Sequence, residues 1–386
     1  MDTIRTRAQL ELLFDNILTR NHTDHATYQK YGYGRNALKT YIIEIHEINK
    51  QTNYDSLLST LLSKALEVDD KSKVIETEEE SLLRLHTSDG DYFIDTTFRR
   101  YVILHSASST KITDRFIRKF QNTKGLDTLW LPVPLLLQTI DFGKLWGIGV
   151  KYKEALEDSL IEGNDSTEDV QDVSLNINRH FAKNFFQILM KSEFSHMMGL
   201  SKVSLLRKED EGENVQKSSF IIDDIRFDGK ITAKGNSYSN HSQVVHNLVD
   251  LYSSAISNIE SYGLSFEEGF LSGTPITIKF SKRVQPNKLV DFLFSGEEPF
   301  RLWGMPNDLG RDQYRVYAVD MHHGNSGAKL TFEIDQEFIR VSLPKYSCGN
   351  TILRLLANIN HYIDAMATLE VGEFGLKVDL SRAGLS

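Results

Sequence analysis

Residues 99–124 concentrate the most distinctive chemistry of this chain. Arg99, Arg100, Lys111, Arg115, Arg118, Lys119 and Lys124 fall there, with Asp114 the one acid among them. The 386 residues together carry 44 Lys+Arg against 53 Asp+Glu, a formal net charge of −9, so this segment runs against the average. Ser108 and Ser109 offer an N-cap and Gly125 a stop, which predicts a helix over Thr110–Gln121. At roughly 100° per residue, Lys111, Arg115, Arg118 and Lys119 share one face of it, while Ile112, Phe116 and Phe120 share another. Such a helix docks by its apolar stripe and turns cations outward, where each can neutralise a phosphate and release a counterion. The expectation is a nucleic-acid-binding surface built from these seven basic residues. The plainer alternatives are a solvated face, or a surface covered by the acidic residues 154–172 or by a partner subunit.

A second constellation is Asp320-Met321-His322-His323-Gly324, placed after an apolar strand. Imidazoles beside a carboxylate can hold a divalent metal or pass a proton, and Glu333 and Asp335 lie on the next strand. The spacing differs from that of Asp-His-His phosphoesterases by the intervening Met321, and their upstream paired aspartates have no counterpart in position. Asp320, His322 and His323 are therefore candidates only, and the simpler reading is a polar turn. Asp223, Asp224, Asp228 and Lys230 have the composition of a metal-dependent nuclease core, but Asp228-Gly229 is explained by hairpin geometry. Asp89 and Asp91 flank a second such turn. Cys348, the single cysteine, precedes a helix and would need a distant base to act as nucleophile; Asn350 as an N-cap is the simpler account. One cysteine also excludes a disulfide framework and multi-cysteine metal sites. No phosphate-binding loop of the G-x-x-x-x-G-K-[ST] or G-x-G-x-x-G kind occurs, and no cofactor is expected.

Arg301 and Trp303, within Pro299-Phe300-Arg301-Leu302-Trp303-Gly304, pair a cation with aromatic residues in the manner of an interface anchor. They form the expected partner interface, against the alternative that Phe300 and Trp303 pack in a core.

The elements that must position these residues are mixed. Residues 1–80 read as a helical N-terminal region, with apolar stripes at Leu10, Leu13, Phe14, Ile17 and Leu18, at Leu38, Tyr41, Ile42 and Ile45, and at Leu57–Leu66. Residues 81–153 read as a small mixed segment carrying the basic helix, ending in an irregular block around Pro132 and Pro134. Residues 154–172 hold eight acids and no Lys or Arg, which predicts a surface linker. Residues 173–386 then read as a larger domain of hairpins and helices. Its elements include a helix over Ile177–Met198 with Ile177, Phe181, Phe185, Ile188 and Leu189 on its apolar face. The last is a helix over Asn350–Ala367 whose polar face, Arg354, Asn358 and His361, is free to meet solvent or a partner. The fold class expected is α+β. No apolar run is long enough to cross a bilayer and no secretory signal is evident, so a cytoplasmic protein is expected. The function expected is a non-catalytic subunit of a larger assembly that binds nucleic acid, a protein partner, or both. The alternative is a metal-dependent phosphodiesterase or nuclease.

Overall fold

A computed structural model describes residues 4–23, 37–46, 54–67, 72–121, 123–153, 172–178, 181–193, 195–209, 219–267, 269–322 and 327–379. The expected acidic linker, apart from Asp172, and His323 lie outside the described residues. The chain opens with α1 (Arg7–Thr23), β1 (Leu38–Ile45), α2 (Tyr54–Leu66), β2 (Lys73–Glu76), β3 (Leu82–Thr87), β4 (Gly90–Asp95), β5 (Tyr101–Ser106), α3 (Thr110–Gln121) and β6 (Leu126–Thr128). It continues through α4 (Val133–Gln138), β7 (Lys144–Lys153), β8 (Asp172–Asn178), α5 (Ala182–Lys191), β9 (Leu200–Glu209), β10 (Ser219–Arg226), β11 (Ile231–Gly235) and α6 (Tyr238–Ser261). The remaining elements are β12 (Ser265–Glu267), β13 (Phe270–Ser272), β14 (Ile276–Lys279), α7 (Pro286–Leu293), β15 (Leu302–Gly310), β16 (Gln313–Asp320), β17 (Ala328–Ile334), β18 (Phe338–Ser342), α8 (Asn350–Tyr362), β19 (Thr368–Val371) and β20 (Phe374–Leu376). The fold is α+β. Among the described residues, no helix is long and apolar enough to cross a membrane.

The chain divides into two compact units. The first comprises Met1–Leu129, Phe142–Lys144 and Ser204–Asp250; the second comprises Trp130–Asp141, Leu145–Val203 and Leu251–Ser386. Strand β9 and helix α6 each contribute residues to both.

In the first unit an antiparallel sheet runs in the order β2-β3-β4-β5-β1-β11-β10. Strand β1 is its centre. It pairs along one edge with β5, and along the other with β11 at Leu38–Thr40 and with β6 at Ile43–Ile45. All eight of its residues are buried. This corrects the helix expected from Leu38, Tyr41, Ile42 and Ile45, so the N-terminal region is not wholly helical. A strand covered on both faces has no need to alternate, and its apolar positions can fall on helical spacing by chance. The β-branched run Ile42-Ile43 is the better guide to its state. One face of the sheet packs on α1 through Leu10, Phe14 and Leu18. The other packs on α2 and α3 through Leu61, Phe116 and Ile117.

The second unit holds a seven-stranded antiparallel sheet, β15-β16-β17-β18-β14-β19-β20. Its strands alternate: Val316, Ala318, Leu330, Phe332, Ile339 and Val341 are buried, and the residues between them face outward. Strand β7 pairs with β8, so Ile177 belongs to a strand rather than to the expected helix, which begins only at Ala182. Helix α5 buries Ala182, Phe186 and Met190, which leaves Phe181, Phe185 and Ile188 exposed, the reverse of the expected apolar face.

Every residue of α8 from Asn350 to His361 is buried. The polar face expected to meet solvent is instead satisfied internally: Arg354 donates to both oxygens of Asp320 at 2.6 and 2.7 Å, Asn358 donates to the Pro299 carbonyl at 3.0 Å, and His361 Nδ1 donates to the Lys151 carbonyl at 3.2 Å. The helix begins after Gly349 rather than being capped by Asn350. Leu356 is fully buried on its apolar side. Leu356→Ala is expected to cost about 2–5 kcal/mol of stability, measured by urea denaturation; a loss below about 0.5 kcal/mol would be that of a surface position.

Candidate functional site

Helix α3 forms as the residues predict. The backbone N–H groups of Ile112 and Thr113 bond the Ser109 carbonyl, and Phe116 stacks on Tyr92 with ring centroids 4.0 Å apart. That packing fixes which way the cations point. Lys111, Arg115, Arg118, Lys119 and Lys124 are exposed. Lys111, Arg118, Lys119 and Lys124 make no ion pair with the described residues, and Arg115 makes an exposed one with Asp89 at 3.1 Å. Exposed pairs of that kind hold by about 1 kcal/mol or less, so a phosphate can displace the carboxylate.

Asp114 is turned away from this face. Its Oδ1 accepts Lys230 Nζ and the Tyr41 hydroxyl, both at 2.6 Å, and the first bond is an ion pair whose lysine is buried. The segment's one acid is thus neutralised behind the helix. Lys39 lies on the same side, donating to the Ser108 carbonyl at 2.7 Å, and burial pulls the pKa of its ammonium down to about 8, with Lys230 adding to the effect.

The two remaining basic residues stand apart from the helical face. Arg100 is committed to Glu44 at 2.7 Å, a carboxylate that is itself buried on β1. Arg99 is exposed.

The other candidates do not converge. Asp320 is fully buried and accepts Arg354, the Thr351 hydroxyl at 2.9 Å and the His322 backbone N–H at 2.9 Å, so its lone pairs are spent. His322 stands edge-on to Trp130 with centroids 6.1 Å apart. Asp223, Asp224, Asp228 and Lys230 turn to four separate partners: His241, Lys234, Arg226 and Asp114. Asp91 is held by Arg84 and His86. Cys348 is buried. Trp303 is exposed on the outer face of β15, whereas Phe300 is buried; Arg301 sits at φ 51° and pairs with Glu298 at 2.6 Å.

Sequence reasoning missed a buried hydrogen-bonded chain in the first unit. Thr40 on β1 and His105 on β5 are direct cross-strand neighbours, their Oγ1 and Nδ1 atoms 2.8 Å apart. The same Oγ1 lies 2.7 Å from His241 Nε2, and His241 Nδ1 lies 2.6 Å from Asp223 Oδ1. At the other end the Tyr238 hydroxyl is 3.1 Å from His105 Nε2. One donor order satisfies each of these bonds: Tyr238 O–H to His105, His105 N–H to Thr40, Thr40 O–H to His241, and His241 N–H to Asp223, whose carboxyl is pushed up by burial and drawn back down by that bond. The order Asp–His–Thr is that of an activated hydroxyl nucleophile. Here, however, Thr40 has no exposed surface and its lone pair is taken by His105, so no substrate reaches it. The array is a clamp that joins β5, β1, β10 and the start of α6.

Two signals in the sequence point to this chain. Asp223 occupies an inward position between Ile221 and Ile225 of an alternating strand. Ser237, whose Oγ accepts the Asn240 N–H at 3.3 Å, opens α6 earlier than its apolar periodicity suggests, which brings Tyr238 and His241 into the helix.

Comparison with known proteins adds kinship to this geometry. The profile of the MJECL33-like protein family matches residues 1–378. The chain belongs to that family. A relative from Methanocaldococcus jannaschii, "Uncharacterized protein MJECL33", is 27% identical over 415 residues, covering 97% of this chain and 96% of its own length. The match thus spans the residues of the basic helix, the buried clamp and all the described strands.

Burial pulls the pKa of the His105 imidazole down to about 3, with His241 contributing. An unfolded imidazole titrates near 6.5, so below that pH the unfolded chain binds a proton that the folded one refuses. The first unit is therefore expected to lose stability as pH falls from about 6.5 toward 3, by about 2 kcal/mol from His105 alone at pH 5. Urea midpoints of wild type and His105→Asn, compared at pH 7 and pH 5, check this: the variant's stability should depend less on pH.

Proposed function

We propose that this chain is a non-catalytic subunit of an intracellular assembly that binds the phosphate backbone of nucleic acid through α3. One observation carries the reading: four exposed cations, Lys111, Arg118, Lys119 and Lys124, have no acidic partner among the described residues, while Asp114 is drawn behind the helix by Lys230 and Tyr41. A face that is only solvated gains from interspersed acids, which relieve the repulsion between neighbouring cations. Phosphate oxygens spaced along a strand suit such a stripe, because each contact releases a condensed counterion and needs no base-specific geometry. Arg115 joins the stripe by exchanging Asp89 for a phosphate, and Arg100 does not, because taking it from the buried Glu44 carboxylate would cost several kcal/mol.

The metal-dependent phosphodiesterase reading has less support. Asp320 is consumed by Arg354 and Thr351, and the four residues of the Asp223–Lys230 group turn to separate partners.

The test is a salt titration of binding to fluorescein-labelled single- and double-stranded DNA and RNA, followed by anisotropy. Wild type should bind, with log K falling linearly in log salt. Replacing Lys111, Arg115, Arg118 and Lys119 by Ala should weaken binding and flatten the slope by up to about 0.9 for each phosphate no longer neutralised. Absence of salt-sensitive binding to any of the four probes overturns the proposal.

A further inference from the structure

The outer face of the seven-stranded sheet is polar over most of its width. Outward positions on β17, β18, β14 and β19 carry Lys329, Thr331, Glu333, Arg340, Thr277, Lys279 and Glu370, tied together by ion pairs such as Arg315–Glu333 at 2.8 Å and Lys279–Glu370 at 2.6 Å. At the β15–β16 edge the chemistry changes. Met305 stands directly opposite Tyr317, and Trp303 opposite Val319. Trp303 is 52% exposed, Met305 68%, Tyr317 60% and Met321 48%. Gly296 sits beneath this group, within 4 Å of both the Trp303 ring and the Met321 sulfur by the position its Cβ would take. Leu309, at the hairpin tip, is 49% exposed. The inward positions of the same strands are closely packed, with Gly304 against Val316, Ala318 and Phe294, so the apolar outer residues are not a core turned inside out.

The free edge of β15 argues against one mode of contact. The Leu302 carbonyl faces away from β16, since it accepts the Gly296 N–H at 2.8 Å. Ser295 bridges Trp303 on this side, and beyond that bridge successive residues alternate in direction, so Pro306 and Asp308 present their backbone to the open edge. Pro306 has no N–H to offer there, and the Asp308 carboxylate repels an approaching carbonyl; both blunt strand addition. A partner must therefore come to the face, not the edge.

We infer that this face is the contact between two copies of the chain, packed outer sheet to outer sheet. The area suffices. At these exposures the five side chains offer roughly 500–600 Å² per copy, so two copies bury about 1,000 Å² or more, the threshold of a specific interface. The rim suits a twofold axis as well. Arg311 and Asp312 at the hairpin turn, with Arg315, Glu333 and Arg340 beside them, carry both signs, and a mixed rim can pair with its own image where a single-sign rim would repel. Trp, Tyr and Met are also the residue types that the centres of interfaces favour.

Sedimentation equilibrium of the full chain over a hundredfold range of concentration tests this. Wild type should fit a reversible monomer–dimer equilibrium. Trp303→Asp and Tyr317→Asp should each weaken it at least tenfold with an unchanged circular dichroism spectrum, and Met305→Lys supplies a third variant if either fails to fold. Ile188→Asp, on the exposed stripe of α5, should leave it unchanged. The inference is overturned if wild type is monomeric throughout, if the dimer survives substitutions at Trp303 and Tyr317, or if Ile188→Asp disperses it.

Discussion

Strand β1 is the constraint on which the first unit depends. It is paired along both edges and covered on both faces, yet its eight residues include Lys39, Thr40 and Glu44. A buried polar group without a partner costs more than most apolar contacts return, so each of these residues dictates what must stand beside it. Glu44 fixes Arg100 at the start of β5. Lys39 draws the Ser108 carbonyl to the entrance of α3. Thr40, on the opposite face, gathers His105, His241 and, through them, Tyr238 and Asp223. Three side chains of one strand thereby set the placement of a helix start on either side of the sheet.

The basic helix inherits its orientation from that strand. Tyr41 is the next residue along β1, and its hydroxyl holds Thr113 and Asp114 on the inner side of α3. With Phe116 stacked on Tyr92, the helix has one rotational setting, and the cations take the face that remains. A charge pattern written along the sequence becomes a charged surface only because an uncharged tyrosine on another strand determines which way the helix turns.

Local features of the chain were legible in its residues. The bounds of α3 and the hairpins at Asp228-Gly229 and Ser88–Asp91 follow from caps and turn residues. Long-range burial was not. Helical spacing misassigned β1 because its second buried face comes from segments remote in sequence. The same blindness left Arg354, Asn358 and His361 to solvent, since nothing near them in the chain announces Asp320, Pro299 or Lys151 as partners. In α5 the error had the opposite sign: its apolar stripe is genuine, but the helix packs by Ala182, Phe186 and Met190, and the larger side chains stay outside. For the candidate site, the cations were readable one by one. The removal of Asp114 and Arg100 from their company required Lys230 beside β11 and Tyr41 and Glu44 on β1.

The first unit is discontinuous in sequence, closing only with residues 204–250, and this has a consequence for synthesis. When the chain has emerged as far as Leu129, β5 is available to one edge of β1 and β6 to half of the other. Its remaining edge, and the partners on α6 that Thr40 and His105 must reach, are still unmade. Most of the stretch from Trp130 to Val203 belongs to the second unit, and all of it emerges before β10 and β11 arrive to cover them. During that interval Leu38–Thr40 is a strand end with an open edge and a Thr40 hydroxyl awaiting His241, the kind of edge that pairs with whatever strand is nearest. For this chain the vulnerable moment lies before the native state exists, at a strand that is afterwards among the most deeply protected parts of the molecule.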